Sequence, residues 1–314
     1  MTVPPQTFER DVLELAVLRT EMRAELAKVI VGYEDELELL LAAVIAGGHV
    51  LLEGPPGVAK TLVAAGLART LGVQFKRVQF TPDTTPSHII GTTVKKLGET
   101  QFVPGAVFTN VLLADEINRT PPRTQAALLE AMQERHVTAG GRMHRLPAPF
   151  IVIATQNPFE QTGIFPLPES QLDRFLFKVV LGYATADQEA EILCLPHHGL
   201  LPDVVGEVRP LLDIGRLSQA QHDLDATWAP DEVVRRCVNV VRATREAKNV
   251  VLGASPRAAV HLLIAAKAHA RLGGRAAVEP ADVEHMAPFV LTHRLIVEDG
   301  DPREVVRQAL DTTS

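Results

Sequence analysis

Only two cysteines occur in 314 residues, Cys194 and Cys237. Both stand in helix-like stretches and read as buried, small apolar groups suited to a reducing compartment; nothing in the pattern asks for a disulfide. No apolar run approaches the roughly 20 residues that a membrane-spanning helix needs. Residues 1–11 lack the basic-then-apolar layout of a signal peptide, so a cytoplasmic location is the simplest expectation. Positive charge is not in excess either. Lys and Arg number 31 against 38 Asp and Glu, a formal net charge of −7, which disfavours duplex nucleic acid as the main partner. An Asn-Lys-x-Asp guanine-reading motif is missing, which excludes a small GTPase, and no internal repeat or low-complexity stretch occurs. The run Cys194-Leu-Pro-His197-His198 has a metal-ligand look but lacks the second ligand pair of a zinc site, and its Pro196 reads as a helix breaker.

What is present is sharper. A hydrophobic content of 46% with 22% charged residues is that of a globular chain with room for two domains. After the apolar run His49-Val-Leu-Leu comes Gly54-Pro55-Pro56-Gly57-Val58-Ala59-Lys60-Thr61, followed by a helix-like segment opening at Leu62. A glycine-rich turn between strand and helix lets successive backbone N–H groups surround phosphate oxygens at the positive end of the helix dipole. Lys60 then reaches the β- and γ-phosphates and the Thr61 hydroxyl ligates Mg²⁺. Ala59 departs from the usual glycine before the lysine; its methyl group suits a helical first turn and not a left-handed backbone.

A second motif reinforces the first. Asn110-Val-Leu-Leu-Ala-Asp115-Glu116 is a short apolar strand of the buried parallel type ending in adjacent carboxylates. In a P-loop ATPase the first acid holds the Mg²⁺ shell and the second prepares the attacking water, which assigns Asp115 to the metal and Glu116 to the base.

Hydrophobic periodicity predicts helices over 8–31, with Val31-Gly32 as a stop, and over 34–45. Strands are predicted over 75–80, 150–155 and 175–181, and residues 81–104 read as an irregular segment rich in Thr, Pro and Gly. Pro121-Pro122 opens a strong helix, and Gly140-Gly141 between two alternating runs signals a hairpin. Alternating strands and helices up to about Gly182 imply an α/β fold with a parallel sheet covered on both faces. From Thr185 the pattern is helical only, with candidates at 187–194, 231–247, 256–272 and 280–293. These readings divide the chain into a core of residues 1–183 and a helical domain of residues 184–314.

The phosphate loop, the stretch Leu113-Ala-Asp-Glu-Ile-Asn-Arg-Thr-Pro-Pro-Arg-Thr-Gln-Ala-Ala-Leu-Leu-Glu-Ala-Met-Gln-Glu134, and Ile153-Ala-Thr-Gln-Asn-Pro-Phe-Glu-Gln161 with Phe165-Pro-Leu-Pro-Glu-Ser-Gln-Leu-Asp-Arg-Phe175 resemble the MoxR family of AAA+ ATPases. The likeness spans nearly the whole chain, and Ala59 fits it. It implies a P-loop NTPase core of five parallel strands, a helical lid and a homo-oligomeric ring, most often a hexamer, with ATP at subunit interfaces. Carried over residue by residue, Asn157 is similar to the family's sensor 1 amide, Arg174 to the arginine finger that reaches a neighbour's γ-phosphate, and Arg257 to the sensor 2 arginine of the lid. Val31 and Gly32 match the region that packs on adenine. Arg294 belongs to a segment resembling the lid end and receives no mechanistic role, while His88 stands where an acid is expected in relatives. Residues 81–104 match the insertion of this AAA+ branch, and the hairpin around Gly140 is expected to face the pore or a partner.

The family implies Mg²⁺-dependent ATP hydrolysis that remodels, assembles or activates a client protein, metal-cofactor insertion included, with a von Willebrand factor A domain protein as a common partner. Because the lid-like segment runs to near Ser314, client recognition is expected to use the ring or a partner. Three other classes are weighed: a magnesium-chelatase-type motor subunit, a DNA motor using Arg142 and Arg145, and a nucleotide-gated scaffold with little hydrolysis.

Overall fold

The computed structural model describes residues 8–96, 99–159, 162–195 and 204–313; His197 and His198 lie outside them. The chain opens with helices α1 (Phe8–Leu26) and α2 (Glu34–Ile45), then strand β1 (Val50–Glu53), helix α3 (Lys60–Thr70) and strand β2 (Phe75–Gln79). Short helix α4 (Pro86–Ile90) precedes strands β3 (Thr92–Lys96), β4 (Glu99–Val103) and β5 (Val111–Asp115). Helix α5 (Pro122–Glu134), strands β6 (His136–Ala139), β7 (Arg142–Arg145) and β8 (Ile151–Gln156), helix α6 (Glu169–Leu172) and strand β9 (Phe177–Val180) follow. The remainder comprises α7 (Ala186–Cys194), α8 (Ile214–Asp225), α9 (Asp231–Glu246), β10 (Val250–Leu252), α10 (Pro256–Leu272), α11 (Pro280–Leu291), β11 (Ile296–Val297) and α12 (Pro302–Thr312).

Five strands form one sheet in the order β2-β5-β8-β1-β9, and every pairing within it is parallel. Its central strands are buried, β5 along its whole length through Val111, Leu112, Leu113 and Ala114, and β8 through Ile151 to Thr155. Apolar side chains on both faces are what a parallel sheet between two helical layers demands. One face packs on α1, α2 and α3 through Leu26, Leu41 and Leu67; the other packs on α5 through Leu128 and Met132. The first cluster continues without a break into the C-terminal helices through Val240, Leu262, Ala265 and Val290. An apolar core therefore crosses residue 183, and the C-terminal helices share it.

Several expectations need correction. The segment 81–104 is not irregular: it holds α4 and an antiparallel β3–β4 hairpin. This hairpin leans on the β6–β7 hairpin, where Phe102 stacks on His144 with centroids 3.8 Å apart and a Cβ on Gly140 would lie 2.6 Å from Thr93 Cγ2. The region after Thr185 is not helical only, because β10 and β11 pair antiparallel. Two helices escaped the sequence reading. Helix α8 is capped by Asp213, whose carboxylate accepts from Arg216 N, and buries Leu217, Ala220 and Leu224; α12 is capped by Asp301 and buries Val305, Val306 and Ala309. Cys237 is buried as expected, but Cys194 is exposed.

Candidate active site

Parallel register sets the first half of the site. Glu53 at the end of β1 pairs with Gln156 at the end of β8, and Ala114 on β5 pairs with Ala154 on β8. The phosphate loop, Asp115-Glu116 and Asn157 therefore leave three neighbouring strands at one carboxyl edge, where ligands of open α/β sheets bind. Gly54 is required there: a Cβ would sit 2.5 Å from the Leu181 carbonyl oxygen. Gly57 has φ +86° with open space beside it, and Ala59 has φ +56°. The expectation that Ala59 takes a helical backbone is thus overturned. Alternating backbone signs around Gly57, Val58 and Ala59 turn N–H groups toward one concavity, as a phosphate nest requires. Lys60 Nζ donates to Gly54 O and Pro55 O at 2.7 and 3.0 Å. Burial pulls this ammonium below its ordinary value, while the nearby carboxylates of Asp115 and Glu116 act in the opposite direction. Thr61 and Leu62 continue into the first turn of α3.

The carboxylates are held by a hydroxyl. Thr155 Oγ1, buried between β5 and β1, donates to Asp115 Oδ1 at 2.6 Å and accepts from Glu116 N at 2.9 Å. Two residues of β2 complete the shell, and no sequence motif announced them. Arg77 puts Nε and Nη2 on Asp115 Oδ2 at 3.0 and 2.7 Å, and Gln79 Nε2 donates to Glu116 Oε2 at 2.6 Å. Arg119 Nε lies 2.9 Å from the same Glu116 oxygen. Asn157 Oδ1 caps a turn by accepting from Phe159 N at 3.1 Å, so its amide NH₂ is the group available to a ligand. Val31 and Gly32 lie on the same side: Gly32 (φ +76°) abuts Gln188 of α7, and the adjoining Tyr33 donates its hydroxyl to Gly182 O at 2.8 Å, next to the Leu181 carbonyl that crowds Gly54.

Arg174 and Arg257 are elsewhere. Leu176, which leads into β9, donates its N–H to His49 O just before β1, so Arg174 stands at the amino edge of the sheet. It lines a cavity of about 250 Å³ with Arg135, Arg257, His49, His261 and Gly48, and among the described residues no carboxylate lines that cavity. A strand of four residues spans about 13 Å at 3.3 Å each, which separates this cavity from the phosphate loop of the same chain. Arg174 Nη1 donates to Leu129 O at 2.6 Å, and it does not pair with Asp173, whose carboxylate is taken by Arg294 and Ser255. Arg257 sits on the first turn of α10, as the Ser255-Pro256 cap predicts, and lines the same cavity as Arg174. Arg294 is buried; burial lowers its guanidinium to about 10 against the opposing charge of Asp173. His88 is exposed on α4.

Residues 49–177 match the family model described as ATPase family associated with various cellular activities, and residues 242–312 match an AAA lid domain. The chain is 42% identical to Chaperone MoxR1 of Mycobacterium tuberculosis, over 92% of this chain and 80% of that one. It is 33% identical to Protein MoxR of Methylorubrum extorquens, over 87% and 86%.

The chain belongs to the MoxR family of AAA+ ATPases.

A crystal structure of a candidate ATPase from Cytophaga hutchinsonii superposes with a TM-score of 0.89 at 36% identity, covering 98% of this chain and 97% of that one. The MoxR assignment accounts for the five-stranded parallel core, the lid and a nucleotide-binding loop. Among the non-glycine residues with left-handed backbone, Tyr33, Ala59 and Glu116 surround the phosphate loop of this MoxR-family fold and Arg135 lines the arginine cavity. Such backbone persists where the surrounding structure enforces it, and it clusters at functional sites.

Proposed function

We propose that this chain hydrolyses ATP with Mg²⁺ as a ring-forming motor whose active sites are completed between subunits. One observation carries the reading: the two arginines suited to a γ-phosphate, Arg174 and Arg257, share a cation-lined cavity at the sheet edge opposite the phosphate loop. A head-to-tail ring brings that edge of one subunit to the carboxyl edge of the next.

The donor set fits the cation. Asp115 and the Thr61 hydroxyl are hard oxygen ligands of the kind Mg²⁺ takes, and Mg²⁺ when bound neutralises charge on the β- and γ-phosphates. Gly54 to Leu62 then hold the triphosphate, with Lys60 turning from the loop carbonyls to the phosphate oxygens, and Val31 and Gly32 pack on the adenine. Glu116 accepts the proton of the attacking water, oriented also by the Asn157 amide. Arg174 and Arg257 of the adjoining subunit stabilise charge on the transferring group, an effect worth about 10³-fold or more for an arginine supplied this way.

Chaperone MoxR1 among the relatives supports a role in remodelling, assembling or activating a client complex. The paired hairpins β3–β4 and β6–β7 are the surface we assign to the pore or partner, with a von Willebrand factor A domain protein as the partner class and metal-cofactor insertion among the client activities. Residues 184–314 form the lid in this scheme, and six subunits the ring. Specific ATPase activity should rise steeply with protein concentration as rings assemble, and Glu116→Gln should bind ATP while losing turnover by about 10²-fold or more. Activity independent of concentration in a strictly monomeric protein would contradict the ring.

A further inference from the structure

Asp173 joins three segments that are far apart in the chain. It directly precedes Arg174, and its carboxylate receives Ser255 Oγ at 3.1 Å on both oxygens and Arg294 Nε at 2.9 Å on Oδ1. Ser255 in turn caps α10 by accepting from Ala258 N at 3.3 Å, and Arg257 stands on the turn so capped. One hydroxyl therefore uses its donor toward the Arg174 segment and its acceptor toward the Arg257 helix.

Arg294 braces the same joint. Its guanidinium donates to the carbonyls of Asp173 and Leu176 at 3.4 Å each, to those of Phe175 and Val290, and to His261 Nδ1 on α10. His293 adds Nε2 to the Phe175 carbonyl at 3.2 Å. The backbone from Asp173 to Leu176 is thus held by the turn after α11. A planar five-donor fork can serve a carboxylate and several carbonyls at once, which a lysine ammonium cannot. The side chain of Arg294 is 1% exposed, so Asp173 supplies the negative partner that such burial requires.

We propose that Asp173, Ser255 and Arg294 are positioning residues that hold Arg174 and Arg257 at a fixed spacing, so that both reach the γ-phosphate of a neighbouring subunit as one unit. The inference rests on the composite-site reading above. It gives Arg294 a role, and it makes lid position and arginine position a single variable.

The test uses mixed rings of two chains. Arg174→Ala binds nucleotide but lacks an arginine, and Lys60→Ala lacks nucleotide but supplies both arginines, so hydrolysis arises only where the second donates to the first. Ser255→Gly is then added to either chain; glycine is tolerated at an N-cap but cannot bridge to Asp173. In the Lys60→Ala donor it should cut recovered turnover by roughly tenfold to 10²-fold, the scale of a small misplacement of a catalytic group. In the Arg174→Ala acceptor it should leave turnover unchanged, and Ser255→Thr in the donor should restore it. Asp173→Asn in the donor should repeat the loss without altering ATP affinity of the acceptor. Equal losses in both placements would reduce the joint to a structural role and overturn the proposal, as would no loss in either. Zero recovery from the parent pair in rings shown to contain both chains would instead remove the composite-site reading, and this inference with it.

Discussion

Gln79 donates from Nε2 to Oε2 of Glu116 across 2.6 Å, from the last residue of β2 to the first after β5. The bond exists because β2 and β5 run parallel in a register that sets Gln79 beside Asp115. An oxygen occupied by an amide N–H and by Arg119 is turned away from a water, so these contacts must open before Glu116 Oε2 can receive one. Gln79→Ala should therefore raise the basal turnover several-fold while leaving ATP affinity unchanged, measured as phosphate release without any partner protein. A fall in turnover with intact nucleotide binding would mean that Gln79 instead orients Glu116 for catalysis.

Ala59 stores strain that a glycine would not. A left-handed backbone costs a residue with a Cβ about 1–2 kcal/mol, and the φ of +56° is fixed by the loop. Ala59→Gly should raise nucleotide-free stability by up to about 1 kcal/mol, part of the relief being offset by the looser unfolded chain. The same exchange at Ala64, buried inside α3, should lower stability by roughly 1 kcal/mol or more. Urea midpoints of the two variants check the contrast.

Three histidines make the fold sensitive to mild acid. Burial drives His49 and His261 down to about 3, with Arg135 and Arg294 respectively adding to the effect, and holds His293 well below its ordinary value. Geometry agrees for His49: Nδ1 accepts from Val152 N at 2.9 Å, so a proton there would displace a buried bond. Unfolding returns each imidazole to an ordinary value near 6.5. The unfolded chain then takes up protons that the folded chain refuses, so this contribution is complete above 6.5 and is lost as pH falls toward 3. Between pH 7.5 and 5.5 each histidine should cost about 1 kcal/mol, read as a falling urea midpoint. His49→Asn, whose Oδ1 keeps an acceptor toward Val152, should flatten the slope.

Local motifs were legible in the sequence because the phosphate loop, Asp115-Glu116 and the Ser255-Pro256 cap each declare themselves within a few consecutive residues. Groups that meet only through pairing were not. Arg77 and Gln79 reach the carboxylates through β2–β5 register, and Arg294 meets Asp173 across the joint between sheet and lid. Strands β10 and β11, three and two residues long, carry no periodicity to read. The β3–β4 hairpin carries one local signal, the β-branched run Thr92-Thr-Val, set in a segment whose Pro and Gly content reads as a loop. Ala59 shows the opposite failure. The local rule against a left-handed alanine is sound in energy, and the loop's need to aim N–H groups overrides it.

Mixing Arg174→Ala with Lys60→Ala across a range of ratios tests the composite site most directly. Each protein alone should be inactive, and the mixture should recover hydrolysis with a maximum near equal proportions, because only mixed interfaces carry an intact phosphate loop facing intact arginines. Arg257→Ala should substitute for Arg174→Ala in the same assay. Flat, absent activity at every ratio, in rings shown to contain both chains, would contradict an active site shared between subunits.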